Sequence, residues 1–278
     1  MKDYTKLLPD HTAKYVGDND LYLEVFKGES SIEVVASRPP LLFVHGAFTG
    51  SWMWSKYIPY FIREGWTCYC MNLRSHYKSR QLDMTKITFE DYLEDIKEIM
   101  EEEFEIAPIL IGFSMGGILS QKLAETVDIT GLVLIDSVIS REVHEAAPYE
   151  ELAQTITDII VPAPVREEHS SIDESADDIE FQRKYLGTES AKAYNAFSFT
   201  TESQGISIDS SLISCPCLVI KAVSSDNDDL QGKITAELLR GEYFGLWGTT
   251  HTGVLVGQRY MESVEKILEW LRKQSVQQ

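Results

Sequence analysis

Residues 108–120 read PILIGFSMGGILS, and the fold turns on how that stretch is built. Pro108 to Ile111 begins an apolar run that continues to Phe113. Ile118 opens ILSQKLA, and between the two runs Gly112, Gly116 and Gly117 crowd around Ser114. Gly112-Phe113-Ser114-Met115-Gly116 fits G-x-S-x-G. Joining a strand to a helix, this pattern sets its serine on a tight turn in strained backbone geometry. The flanking glycines lack Cβ atoms, so neighbouring backbone can close against the turn. The hydroxyl then projects from the carboxyl edge of a sheet, where α/β folds bind ligands. The free N–H groups at the start of the following helix face any anion that forms there.

Outward from this stretch the chain alternates short apolar runs with helical segments. LYLEVF (21–26) and SIEVVAS (31–37) flank KGES and read as a hairpin. LLFVHG (41–46), TCYCMNL (67–73), PILIGFS (108–114), GLVLIDS (131–137), CLVIKAV (217–223) and EYFGLW (242–247) follow. From Leu41 on, the runs are continuously apolar, as strands buried on both faces of a parallel sheet are. Between them, Thr88-Phe89-Glu90-Asp91 resembles a capping box. Phe89, Tyr92, Leu93, Ile96, Ile99, Met100 and Phe104 then repeat at helical spacing. Tyr260, Met261, Val264, Ile267, Leu268 and Leu271 form a second stripe. The expectation is an α/β fold, a mostly parallel eight-stranded sheet with helices on both faces.

One interval breaks the alternation. From Ser137 to Asp209 there is no buried strand, only helix-like pieces (REVHEAAPYEELAQTITDII, DDIEFQRKYLG, ESAKAYNAFSF) with VPAPV and serine-rich joints between them. It holds 15 Asp and Glu against 5 Lys and Arg. Between two core strands such a block reads as an excursion over the end of the sheet. The expected division is a core of 1–136 and 210–278 with a helical cap over 137–209.

The 278 residues carry a formal charge of −19, which argues against nucleic acid or anionic membrane as partner. The longest charge-free run, Pro39 to Ser55, is shorter than the roughly 20 residues of a membrane span. MKDYTKLLPDHTAK has no apolar leader region, so the expected location is cytoplasmic. Two C-x-C pairs, Cys68/Cys70 and Cys215/Cys217, lie in or beside apolar runs. They read as buried thiols rather than as a zinc site, and no metal or cofactor is expected.

A serine nucleophile needs a base, and the base an orienting acid. Of six histidines, His11 lies in the polar N-terminal segment, and His144 and His169 lie in the cap. His45 ends a strand as a loop-shaping residue, and His76 sits in LRSHYKSR. His251, in WGTTHTGVLVG between the last strand and the terminal helix, returns to the sheet edge of Ser114 and is the expected base. For the acid, Asp226 in VSSDNDDL is the first candidate, with Asp136 at the end of GLVLIDS and Asp228 as alternatives. The amides of Met115 and Ala47, with Phe48 as substitute for Ala47, are the expected oxyanion donors.

With these residues placed, the chain resembles the α/β-hydrolase superfamily along nearly its whole length. The resemblance rests on His45-Gly46-Ala47 with Ser51-Trp52, on the GFSMGG elbow and on the late His251, in the family's order. HGAFTGSWMW is similar to the loop of the plant methyl-esterase and hydroxynitrile-lyase branch. GFSMGG is similar to the elbows of esterases and cofactor-free haloperoxidases. The resemblance implies the same nucleophile, base and donors, and a helical lid at 137–209. Two places depart from it. Asn72-Leu73-Arg74-Ser75-His76-Tyr77-Lys78-Ser79 replaces two glycines of the family's loop, and with Ala222 in the place of the acid loop's glycine, Ser225 falls where the aspartate belongs. The expected function is hydrolysis of small apolar carboxylic esters, with Phe48, Trp52, Trp54 and Phe197 lining the pocket. The alternatives are a thioesterase, a C–C hydrolase or a lyase on the same fold, or a non-catalytic receptor.

Overall fold

The computed structural model describes residues 2–29, 38–167 and 172–276. In chain order the strands are β1 (Thr12–Val16), β2 (Leu21–Phe26), β3 (Leu41–Val44), β4 (Cys68–Met71), β5 (Ile109–Phe113), β6 (Gly131–Ile135), β7 (Ile160–Val161), β8 (Glu189–Ser190), β9 (Cys217–Val223) and β10 (Glu242–Trp247). The helices are α1 (Ile58–Arg63), α2 (Phe89–Glu103), α3 (Met115–Ala124), α4 (Arg141–Ala146), α5 (Ala176–Tyr185), α6 (Ala191–Phe197), α7 (Asp226–Leu238), α8 (Gly253–Val256) and α9 (Tyr260–Val276).

Eight strands form one sheet in the order β1-β2-β4-β3-β5-β6-β9-β10. From β4 to β10 every neighbouring pair is parallel; β1 and β2 are antiparallel to each other, and β2 to β4. The hairpin partner of LYLEVF is Thr12–Val16, in register with Thr12 opposite Val25. That strand escapes a hydrophobicity reading because four of its five side chains are exposed. The segment 31–37, expected as the partner, lies outside the described residues.

The unbroken apolar runs divide their side chains between two cores, because successive residues of a strand face opposite sides. Leu41 and Phe43 of β3, with Ile109, Ile111 and Phe113 of β5, pack on one side against Val264, Ile267 and Leu271 of α9. Leu42 and Val44, with Leu110 of β5, pack on the other against Ile96 and Ile99 of α2 and Ile118 and Leu119 of α3. Helix α2 starts at the capping box read from the sequence, with Thr88 Oγ1 receiving the Asp91 amide at 3.3 Å and Asp91 Oδ2 receiving the Thr88 amide at 2.7 Å.

Two features place the site. The order reverses at β3, whose neighbours are β4 and β5, so the loops leaving β3 and β5 diverge and open a crevice at the carboxyl ends of the strands. The chain also leaves the sheet after β6 and returns at β9, which pairs directly with β6. The intervening residues form α4, α5, α6 and the separate two-stranded β7–β8 ladder. Helix α4 stops at Ala146, far short of the run expected from Arg141 to Ile160. Pro148 disfavours helical geometry at Ala147, which is φ −141°, ψ 79°. Among the described residues, no helix is long and apolar enough to cross a membrane.

Candidate active site

Ser114 joins β5 to α3 with φ 54° and ψ −120°, a conformation that side-chain-bearing residues rarely adopt. Packing holds it there. A Cβ on Gly112 would clash with the Gly116 carbonyl, and one on Gly116 with the Val44 carbonyl. The elbow therefore presses directly on β3, and only glycine fits at those two points. The loop after β3 is equally close: a Cβ on Gly46 would lie 2.9 Å from the Ser114 Cβ.

His251 follows β10 and folds back across the sheet edge, its ring stacked on Phe113 at 4.7 Å between centroids. Its Nε2 lies 3.0 Å from Ser114 Oγ, and its Nδ1 lies 2.5 Å from Asp136 Oδ2. This network assigns the proton to Nδ1 and leaves Nε2 to accept from the serine hydroxyl. Asp136, at the end of β6, is itself in the left-handed region at φ 41°. Burial raises its proton affinity, but Lys221 beside it and the His251 hydrogen bond outweigh this and hold the carboxyl at about 2, so it is ionised.

The carboxylate on His251 is thus Asp136, and not Asp226. Asp226 is exposed on the first turn of α7, which starts at N-cap Ser225, and Asp228 is occupied at the same helix start. Asp228 Oδ2 accepts the amides of Ser224 and Ser225, each at 3.0 Å. The loop after β9 is consumed by a capping box, while β6, one strand nearer to β5, delivers its terminal aspartate to the imidazole.

Met115 follows the serine directly, and Ala47 lines the same cavity as Ser114. Met115 is the first residue of α3, where a helix has no acceptor of its own for the N–H. Among the described residues, the Ala47 amide has no protein acceptor either. Phe48, the substitute, is at φ 67° and its amide donates to Glu189 Oε2 at 3.4 Å.

A cavity of about 400 Å³ opens at Ser114 and His251, with Ala47 and Lys221 in its wall. Phe48, Phe113, Val138, Tyr149, Leu186, Tyr194 and Phe197 line it, and most of these come from the 137–209 excursion. Phe48 and Phe197 are where the sequence suggested. Trp52 and Trp54 are not: they lie in a 3₁₀ helix, Ser51–Lys56, that turns both indoles into the core, where each is 1% exposed or less. Other histidines among the described residues have structural partners. His45 is buried, accepts the Leu73 amide on Nε2 at 3.1 Å, and burial keeps it neutral, with its proton affinity lowered to about 3. His144 stacks on Phe199 and His11 on Phe26. Cys68 and Cys70 are buried free thiols whose proton affinity burial pushes up. Among the described residues, no cluster of His, Cys, Asp or Glu could hold a metal ion.

Sequence reasoning missed Glu189. This fully buried carboxylate from the excursion reaches into the core, where His76 Nε2 lies at 3.0 Å, and it accepts the Tyr92 hydroxyl at 2.5 Å and the Phe48 amide. Only its neighbour Ser190, a helix N-cap, hinted at an ordered position.

Residues 39–157 match the model of the family described as the alpha/beta hydrolase fold. With the sheet order and elbow above, this decides the architecture. The chain has the α/β-hydrolase fold. Solved structures of that fold resemble it throughout. A carboxylesterase of the thaumarchaeon Nitrososphaera gargenis is 16% identical over 94% of this chain and 99% of its own, with a TM-score of 0.64. A thermophilic esterase from Thermogutta terrifontis is 17% identical over 96% and 99%, TM-score 0.63. A bromoperoxidase from Bacillus anthracis is 17% identical over 95% and 100%, TM-score 0.66. No curated protein matches the chain significantly. At such identities the α/β-hydrolase fold is what is shared, and the fold carries more than one chemistry.

Proposed function

We infer that the protein is a serine hydrolase of small, apolar carboxylic esters. The observation that carries this reading is the unbroken chain Ser114 Oγ, His251 Nε2, His251 Nδ1, Asp136 Oδ2, with contacts of 3.0 and 2.5 Å, at the mouth of an aromatic cavity. Ser114 attacks the ester carbonyl as His251 takes its proton, and Asp136 stabilises the imidazolium that forms. The amides of Ala47 and Met115 receive the developing oxyanion. His251 then protonates the departing alkoxide, and the acyl group stays on Ser114. Water attacks that acyl-enzyme with His251 again as base, releasing the acid and restoring the serine. Residues 137–209 act as the cap, supplying the side chains that select the substrate.

The cavity favours apolar groups because Phe48, Val138, Leu186, Tyr194 and Phe197 form much of its wall. Esterase neighbours on the same fold support the ester bond as the target. The test is covalent labelling by a fluorophosphonate. One adduct on Ser114, absent from Ser114→Ala, with aryl-ester turnover lost in the same variant, is expected. A folded wild-type protein that takes up no label at that serine would sink the assignment.

A further inference from the structure

Lys221 is the single charged residue of CLVIKAV. It projects from β9 toward β6, where its ammonium lies 2.8 Å from Asp136 Oδ1 with only 13% of the side chain exposed. The other oxygen, Oδ2, is the one on His251. One carboxylate therefore bridges an ammonium and an imidazole, both in the wall of the same cavity. Burying a lysine on a central strand is costly without a partner, and no step of the hydrolysis uses this one.

The groups around it are few. Asp136 from β6, Tyr149 from the excursion and Asp228 from α7 act on the ammonium. Asp228 is already engaged by Ser224 and Ser225. Tyr149 is uncharged, its hydroxyl pushed further up by burial. Tyr243 from β10 is committed to Asp229 at 2.7 Å. His251 meets Ser114, Asp136 and the ring of Phe113. Asp136 is thus the counter-charge that Lys221 and a protonated His251 would have to share.

We propose that Lys221 is a positioning residue of this site. Its ammonium, 2.8 Å from Oδ1, pins the Asp136 carboxylate so that Oδ2 receives His251 Nδ1, which holds the imidazole with Nε2 turned to the serine hydroxyl. Without the ammonium, Oδ1 keeps, among the described residues, only the Ala222 amide at 3.3 Å, and the carboxylate is free to turn away from the ring.

The inference rests on the hydrolase reading but is measured apart from it. The His251 ring nitrogens, assigned by their loss in His251→Gln, are observed by NMR in wild type, Lys221→Met, Lys221→Gln and Lys221→Arg, where their shifts report which nitrogen carries the proton. The same proteins are assayed for kcat and KM on aryl esters. Lys221→Met is expected to lower kcat about tenfold with KM within about twofold and to lose the single Nδ1-protonated form, while Lys221→Arg keeps both. Should the methionine variant fail to fold, Lys221→Gln carries the test, its shorter, neutral side chain being a weaker restraint on Asp136 Oδ1, with a loss in kcat of about threefold expected. A folded neutral variant with wild-type kcat and an unchanged ring tautomer overturns the proposal. Absence of fluorophosphonate label on wild-type Ser114 would instead remove the hydrolase reading and leave the NMR comparison standing.

Discussion

Asp136→Asn separates the roles of this residue most sharply, because its two oxygens serve different partners. Oδ2 receives His251 Nδ1 at 2.5 Å, which leaves Nε2 unprotonated toward Ser114 at 3.0 Å. An asparagine can present its NH₂ to Nδ1, favouring the tautomer with the proton on Nε2, which cannot take a second proton from the serine. The expected loss in kcat/KM is about 10³–10⁴, or roughly 4–5.5 kcal/mol of transition-state stabilisation. Oδ1 pairs with Lys221, so the same change leaves a buried ammonium unpaired and costs about 3 kcal/mol of stability. The two losses are read separately, by aryl-ester turnover well below the melting temperature and by urea unfolding. The double variant Asp136→Asn/Lys221→Met is expected to recover most of the stability and none of the activity. Asp226→Asn, exposed on α7, is expected to stay within about twofold of wild type, as surface changes distant from a site do. If Asp136→Asn kept more than a tenth of the activity while Asp226→Asn lost a hundredfold, the assignment of the orienting acid would be refuted.

Four other outcomes follow from contacts in the structure. Asp136 is held at about 2, below its ordinary 3.8. A depressed carboxyl contributes stability that is full above the unfolded value and lost as pH falls through the folded one, here about 2 kcal/mol between pH 4 and 2. Urea midpoints across that window should fall less steeply in Asp136→Asn than in wild type. Glu189→Gln should lower the melting temperature by about 5–10 °C, because it breaks the buried pair with His76; an unchanged melt would show that the pair contributes nothing net. Phe48→Ala should raise KM for aryl esters about tenfold by removing an aromatic wall of the cavity. Trp54→Ala, in the core, should cost about 3–5 kcal/mol in urea unfolding and leave the order of preferred esters unchanged.

The elbow was legible because its information is local. Glycine at 112 and 116 is demanded by backbone contacts that any strand–turn–helix of this kind makes, and the periodicity of the flanking runs shows which element lies on each side. Strands β3, β4, β5 and β6 were legible for a similar reason, since burial on both faces leaves no charged residue to interrupt them. The exposed β1 gave no such signal. Trp52 and Trp54 misled because a side chain's direction in a short 3₁₀ helix depends on what packs against it, and here that is Phe181 on Trp52 and Phe43 on Trp54.

The choice of acid could not be read in the same way. Asp136 and Asp226 both stand just after an apolar strand, and spacing along the chain says nothing about lateral reach across a sheet. Sequence alone determined the α/β class, the turn at Ser114 and a late histidine able to meet it, because backbone sterics and burial write those features into consecutive residues. Only the tertiary structure decided that Asp136 and Lys221 face one another across β6 and β9, that Glu189 enters the core from the excursion, and which aromatics see the cavity. Those are through-space pairings between distant segments, fixed by strand order and side-chain packing, and neither quantity is local to any stretch of the chain.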